Sequence, residues 1–227
     1  MLREKYKATT LNDCVFANQT IQNRIQAYAS GNLKGHLILH GPNGTGKSTI
    51  ADLLPYAIDG QDAYIEPKDF DDLIKVKDLR NYLENGYFYW GKTYLVFHEF
   101  DDAKGSFSLF WKTIDKLQNK VMMIITTNNP MKIHQSIRSR CNCISLPALT
   151  ATDVLPRIQF ILRAEGINLP DIQVLAYLKS WDKHGDIRKY LDVVADLTYL
   201  HKSNLPFPLV TTSRPKPAAL KIVNKNT

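Results

Sequence analysis

The chain has 227 residues, 44% of them hydrophobic, with 29 basic and 22 acidic side chains for a formal net charge of +7. That is enough apolar material for a soluble globular protein of one ordinary domain or one and a half. No apolar run approaches the ~18 residues of a membrane span, and Met1-Leu2-Arg3-Glu4-Lys5-Tyr6-Lys7 has no apolar stretch for a signal peptide, so a cytoplasmic location without a membrane partner is expected. Cys14, Cys141 and Cys143 are too few for a disulfide framework or a four-ligand zinc site and are read as reduced thiols. The charge is uneven. Lys202, Arg214, Lys216, Lys221 and Lys225 stand without an acidic residue in 201–227, which leaves 24 basic against 22 acidic before it. A near-neutral body neither demands nor excludes nucleic acid.

Residues 1–10 are polar and read as an extended arm. Asn18-Gln19-Thr20 opens a helix with Ile21, Ile25 and Tyr28 on one side, and Ser30-Gly31-Asn32 closes it. Gly35 to His40 is a short apolar run that reads as a buried strand. His40-Gly41-Pro42-Asn43-Gly44-Thr45-Gly46-Lys47-Ser48-Thr49 follows, with Gly41, Gly46, Lys47 and Ser48 in the fixed places of the phosphate-binding pattern G-x-x-x-x-G-K-[ST]. Such a loop turns several backbone N–H groups on one polyphosphate, which glycine permits where a Cβ would obstruct. Asn43, Gly44, Thr45, Gly46 and Thr49 complete the cradle. Lys47, read as an exposed lysine of little packing value, brings a charge to the β- and γ-phosphates, and Ser48 a ligand for Mg2+. The helix that follows aims its N-terminus at the anion and is expected to be interrupted by Pro55.

Ala63-Tyr64-Ile65 is a second strand, and Asp69 to Asn85 a helix stopped at Asn85-Gly86. Lys92 to Phe97 is a β-rich run ending in His98-Glu99-Phe100-Asp101-Asp102, acidic residues at the edge of a parallel sheet where ligands sit. Phe107, Phe110, Trp111, Ile114 and Leu117 recur at helical steps and read as a core-facing stripe. Val121 to Thr127 is the next strand, delivering Asn128 and Asn129 at its end, and Asn142 to Leu146 the last. Strands separated by helices give a parallel three-layer α/β fold over residues 1–148. Asp153–Ala164, Asp171–Trp181 and Asp186–Leu200 then read as three amphipathic helices, a small all-helical domain over 149–200. Pro206-Phe207-Pro208 and Arg214-Pro215-Lys216-Pro217 mark 201–227 as a basic flexible tail.

In order and spacing these residues resemble the AAA+ ATPases of the P-loop NTPase fold, and among them the clamp-loader subunits of DNA replication. Five places carry the resemblance. Glu4-Lys5-Tyr6-Lys7-Ala8 is similar to an N-terminal E-K-Y-R-P signature, which implies that Tyr6 lies along the adenine. The phosphate loop matches throughout. Ser139-Arg140-Cys141 matches S-R-C, which implies that Arg140 reaches the nucleotide of a neighbouring subunit, and counting back puts Asn128 where a sensor positions the attacking water. Gly185-Asp186-Ile187-Arg188 matches the G-D-x-R of the lid, where Arg188 would sense the γ-phosphate. The fifth place departs: the family's D-E-x-D reads His98-Glu99-Phe100-Asp101 here. Glu99 keeps the water-activating carboxylate and Asp101 an acidic group for the metal, while His98 stands for an aspartate of the Mg2+ shell. A neutral imidazole brings no charge to a hard cation, so slow hydrolysis is expected.

The resemblance implies ATP and Mg2+ as cofactors and an oligomer of like or unlike AAA+ subunits that engages DNA when assembled. It also implies a sliding clamp, or another protein supplying the helical collar, in place of which the chain runs into its basic tail; a phage or mobile element would be a natural home. Two other functions remain open. Ile124-Ile125-Thr126-Thr127-Asn128-Asn129-Pro130 is also similar to the sensor strand of superfamily 3 viral helicases, and His98 admits an assembly protein in which ATP is held and hardly hydrolysed.

Overall fold

The computed structural model describes residues 2–66, 79–90, 92–100, 107–117, 119–179 and 185–208. Asp101, the first part of the helix expected over 69–85, Trp181 and the tail beyond 208 lie outside the described residues, as do the side chains of Phe107, Phe110 and Trp111.

Among the described residues, five parallel strands form the sheet: β1 (His36–His40), β2 (Tyr64–Glu66), β3 (Thr93–Phe97), β4 (Val121–Thr127) and β5 (Cys141–Ser145), in the spatial order β2-β3-β4-β1-β5. The helices of this part are α1 (Leu2–Lys5), α2 (Gln19–Ala29), α3 (Lys47–Asp59), α4 (Leu79–Trp90), α5 (Phe107–Lys116) and α6 (Gln135–Arg138). Alternation along the central strands divides the core between the two faces. Leu37, Leu39, Tyr94, Met122, Ile124 and Ile144 pack with Ile25, Tyr28, Ile50 and Leu54 on one side. Ile38, Leu95, Phe97, Met123 and Ile125 meet Leu83, Ile114, Leu117 and Ile137 on the other. A strand with both neighbours paired and both faces covered has to be apolar throughout, which is why β4 is buried along its whole length.

A third core belongs to α7 (Ala151–Ala164), α8 (Asp171–Lys179) and α9 (Ile187–Lys202), where Val154, Ile158, Ile161, Leu162, Val174, Leu178, Tyr190, Val194 and Leu197 interlock. Thr150 and Asp153 form a reciprocal capping box at the start of α7. Helix α9 runs through Lys202, beyond the expected end at 200. Phe207 packs on this core, its ring stacked with that of His201 at 6.5 Å.

The N-terminal segment departs from the extended arm expected of it. Leu2–Lys5 is a helical turn held on the lid: Arg3 pairs with Asp192, and Lys5 and the Tyr6 hydroxyl both donate to Glu165 (2.5 and 2.8 Å), which Lys202 also reaches. Bonds from Lys202, Lys5 and Tyr6 hold the Glu165 carboxyl down at about 2.

Two helix limits also differ from expectation. Pro55 does not interrupt α3; it lies buried within it, where the loss of one backbone bond is offset by the packing of Leu54 and Pro55 itself. Gly86 does not stop α4, which continues to Trp90, a glycine in a helix interior costing only about 1 kcal/mol.

His36 sits inside this sheet, 6% exposed, its Nδ1 accepting the backbone N–H of Met123 at 3.1 Å. That bond requires the neutral ring, and burial lowers its pKa to about 4. The unfolded chain binds this proton at about 6.5, so stability should be lost as pH falls from about 6.5 to about 4, by about 3 kcal/mol in all. Asp13 and Glu165, both held near 2, lose their contributions lower, as pH falls from their ordinary values near 4 towards 2. The melting temperature is expected to fall by several degrees between about pH 7 and pH 4.5. His36→Gln, which keeps an acceptor and cannot titrate, should flatten that fall; an equal slope in the two proteins would refute the assignment.

Candidate functional site

The loop from Gly41 to Gly46 leaves the C-terminal end of β1, and α3 begins at Lys47 with Gly46 as its left-handed cap. Gly41 lies so close to the chain after β5 that a Cβ would stand 2.0 Å from the Leu146 carbonyl oxygen. Here a side chain is excluded by contact, independent of any ligand.

An open cleft of about 180 Å³ is lined by Asn43, Gly44, Gly46, Lys47, Ser48 and Thr49 of the loop and α3, by Glu99 after β3, by Thr126, Thr127 and Asn128 at the end of β4, and by Ile187 and Arg188 of the lid. Eight of the sequence-derived site residues meet here together with Arg188, from four separate parts of the chain. Thr45 is buried beneath, its hydroxyl bonded to the Pro42 carbonyl at 3.1 Å. Lys47 is not the exposed lysine expected. It is 9% exposed and its ammonium donates to the carbonyls of Gly41 and Pro42 at 2.8 and 2.7 Å. The charge is thus aimed along the loop, since the loop's carbonyls are the acceptors within reach of a lysine at the first helical position.

The lid touches the loop directly. The Ile187 N–H donates to the Gly44 carbonyl at 3.0 Å, and a Cβ on Gly44, whose φ is +75°, would lie 1.9 Å from Asp186 Oδ1. Asp186 caps α9 and holds the Arg188 guanidinium through both oxygens at 2.7 to 3.1 Å. Burial opposes the Asp186 charge, but the bonds from Arg188 outweigh it and keep its pKa below the usual carboxylate value. Gly44→Ala should push the lid from the loop. It is expected to weaken nucleotide binding at least about tenfold and to cost about 1–2 kcal/mol from the left-handed backbone alone; unchanged affinity in a titration would show that this contact is incidental.

Glu99 has a φ of +51°, uncommon for a residue with a side chain, and its N–H donates to the Thr126 hydroxyl at 3.1 Å. Glu99 is among the residues that line the cleft at the sheet edge. Beside it, His98 Nε2 lies 2.9 Å from Asp52 Oδ1 of α3, and that bond raises the imidazole pKa above its ordinary value. Sequence reasoning missed Asp52, Thr126, Thr127, Asp186 and Ile187. Asp52 has no motif, its one signal being its place four residues after Ser48.

Two predicted site residues lie elsewhere. Arg140 does not line its own chain's cleft: Nε and Nη2 bond the Asp115 carboxylate at 3.0 to 3.1 Å, and Nη1 the Ser136 carbonyl at 2.9 Å. Tyr6 is outside the cleft as well, on Glu165 of the lid. Asp101 is outside the described residues.

Residues 37–146 match the sequence profile of the ATPase family associated with various cellular activities (AAA). They have the AAA-type P-loop NTPase fold. The replication factor C small subunit of Haloarcula marismortui is 29% identical over 198 residues, 83% of this chain and 59% of the relative. The sliding-clamp-loader large subunit of Enterobacteria phage T4 is 26% identical over 188 residues, 78% and 59% of the two chains. The resemblance to clamp-loader subunits read from the motifs is thereby supported. The chain spans about three-fifths of the length of these two relatives. Among solved structures, a Thermotoga maritima RuvB variant superimposes with a TM-score of 0.63 over 88% of this chain and 68% of its own, at 16% identity. AMPPCP-bound DnaA from Aquifex aeolicus gives 0.60 over 89% and 66%, at 17% identity. At such identities these two speak for the fold of the AAA domain and its helical lid. No helix among the described residues is long and apolar enough to cross a membrane.

Proposed function

We propose that this chain is an ATP-hydrolysing subunit of a clamp-loader-type assembly, binding ATP between its phosphate loop and Arg140 of a neighbouring subunit and acting on DNA once assembled. The observation that carries the reading is the convergence of Lys47, Ser48, Glu99, Asn128 and Arg188 on one cleft. In this reading the loop amides and Lys47 bind the β- and γ-phosphates, and Arg188 exchanges Asp186 for the γ-phosphate. Glu99 takes a proton from water that Asn128 holds in line.

A hard divalent cation fits beside Ser48. Among the described residues no cluster of three His, Cys, Asp or Glu side chains could hold an ion alone, so the cation would arrive with the phosphates and keep much of its water. When bound it would neutralise phosphate charge. Ser48 would be its ligand here; Asp101, expected from the sequence as a second acidic ligand, lies outside the described residues. DNA, a sliding clamp and any collar-supplying protein belong to the same proposal, since the relatives are clamp-loader subunits by name.

Steady-state ATPase measurements test the assignment. Glu99→Gln should lower the rate about 10²–10⁴-fold while ATP affinity is kept, and a rate within threefold of wild type would refute Glu99 as the base. The pairing of His98 with Asp52 favours a second reading in which turnover with Mg2+ is slow and ATP serves assembly. His98→Asp should then raise the Mg2+-supported rate. Strand unwinding by the purified chain would instead favour a helicase.

A further inference from the structure

We propose that Asp115 is the positioning residue for Arg140, holding the guanidinium in the orientation in which it meets a neighbouring subunit's nucleotide. This role deepens the proposed reading of Arg140 and rests on it. Asp115 stands in the last turn of α5, and Arg140 between α6 and β5. Arg140 Nε donates to both carboxylate oxygens at 3.0 and 3.1 Å, Nη2 to Oδ2 at 3.1 Å, and Nη1 to the Ser136 carbonyl of α6 at 2.9 Å. Bonds from three nitrogens to two separate elements fix both the plane of the group and the direction it faces.

The two elements are themselves anchored. Ile114 and Leu117, on either side of Asp115, and Ile137 of α6 are buried in one shared core, on which Cys141 also packs. The Ser139 hydroxyl donates to the same Ser136 carbonyl at 3.1 Å, and its N–H to the Gln135 carbonyl at 2.9 Å, closing the turn from which Arg140 leaves. The support is therefore rigid, while the arginine itself reaches the surface, 37% of its side chain exposed. A phosphate oxygen can approach a group whose orientation is set before it arrives, so little of the interaction is spent on ordering. Held this way, the arginine is either presented to a neighbour or restrained from it, and magnitudes separate the two. An exposed ion pair shifts a population by no more than about fivefold, too little to withhold a group worth about 10³–10⁵ in rate. Releasing an arginine among its rotamers costs up to about thirtyfold. Presentation is the larger effect.

The experiment is single-turnover ATP hydrolysis by the full chain in excess over ATP, with isothermal titration and a melting curve for each variant. Asp115→Ala should lower the rate about 10–30-fold, with ATP affinity within about twofold of wild type and the melting temperature within about two degrees. Asp115→Asn, which keeps one acceptor oxygen, should lose less. In an Arg140→Lys background, whose ammonium lacks the planar fork, Asp115→Ala should cost less than about threefold. A merely structural role would cost the same in both backgrounds. Where Arg140→Ala is slow, an Asp115→Ala rate within about threefold of wild type, a faster one, or equal losses in the two backgrounds would overturn the inference while leaving Arg140 standing. Wild-type turnover in Arg140→Ala, or none in wild type itself, would overturn both.

Discussion

Lys47→Ala is expected to lose ATP affinity by about 10²–10⁴-fold, because an ammonium makes two charge-assisted bonds to phosphate oxygens worth about 1.5–3 kcal/mol each. The side chain is already directed along the loop by the carbonyls of Gly41 and Pro42, so little ordering would be needed when phosphate replaces them. Its burial adds a second effect. Removing the ammonium leaves both carbonyls without this donor and opens a small space under the loop, a cost of about 1–2 kcal/mol, visible as a drop of a few degrees in melting temperature. The chain remains folded, since the three cores do not include the lysine. Isothermal titration and a melting curve together check it, and affinity within threefold of wild type would remove the nucleotide from this loop.

Arg140→Ala should lower the ATPase rate about 10³–10⁵-fold, the range found where an arginine stabilises a phosphoryl-transfer transition state from a neighbouring subunit. ATP affinity of the isolated chain should barely change, because Arg140 is outside its own cleft. Stability should change little too. The Asp115 pair is exposed on both sides, and exposed pairs contribute about 0–1 kcal/mol. A variant with wild-type turnover, or one with lost affinity, would speak against action on a neighbour.

The parts of the fold carried by local pattern were legible. The strand before the loop, the cap at Asn18 and the burial of Ile21, Ile25 and Tyr28 follow from short-range spacing, and each is found as read. The limits at Pro55 and Gly86 were not, because a local breaker was weighed without the packing around it. The candidate site divides in the same way. Loop, Glu99, Asn128 and Arg188 could be placed from motifs in chain order, whereas Asp52 and Thr126 belong to the surroundings of the site only because distant segments meet. Asp52 meets His98 across 46 positions, and Ile187 meets Gly44 across more than a hundred. No periodicity records such contacts. The burial of Lys47 escaped for a related reason: a loop lysine reads as solvated until the loop's own carbonyls are seen to surround it.

That Arg140 of a neighbouring subunit completes the catalytic site is the central claim, and where the neighbour is another copy of this chain, mixing two inactive variants tests it most directly. Arg140→Ala keeps Glu99, and Glu99→Gln keeps Arg140, so in mixed oligomers some interfaces hold both intact groups. With random assembly about a quarter of the interfaces of an equal mixture are complete. The account predicts that the ATPase rate of the mixture rises to about that fraction of wild type, far above either variant alone. A mixture no more active than the sum of its two separate components would contradict it.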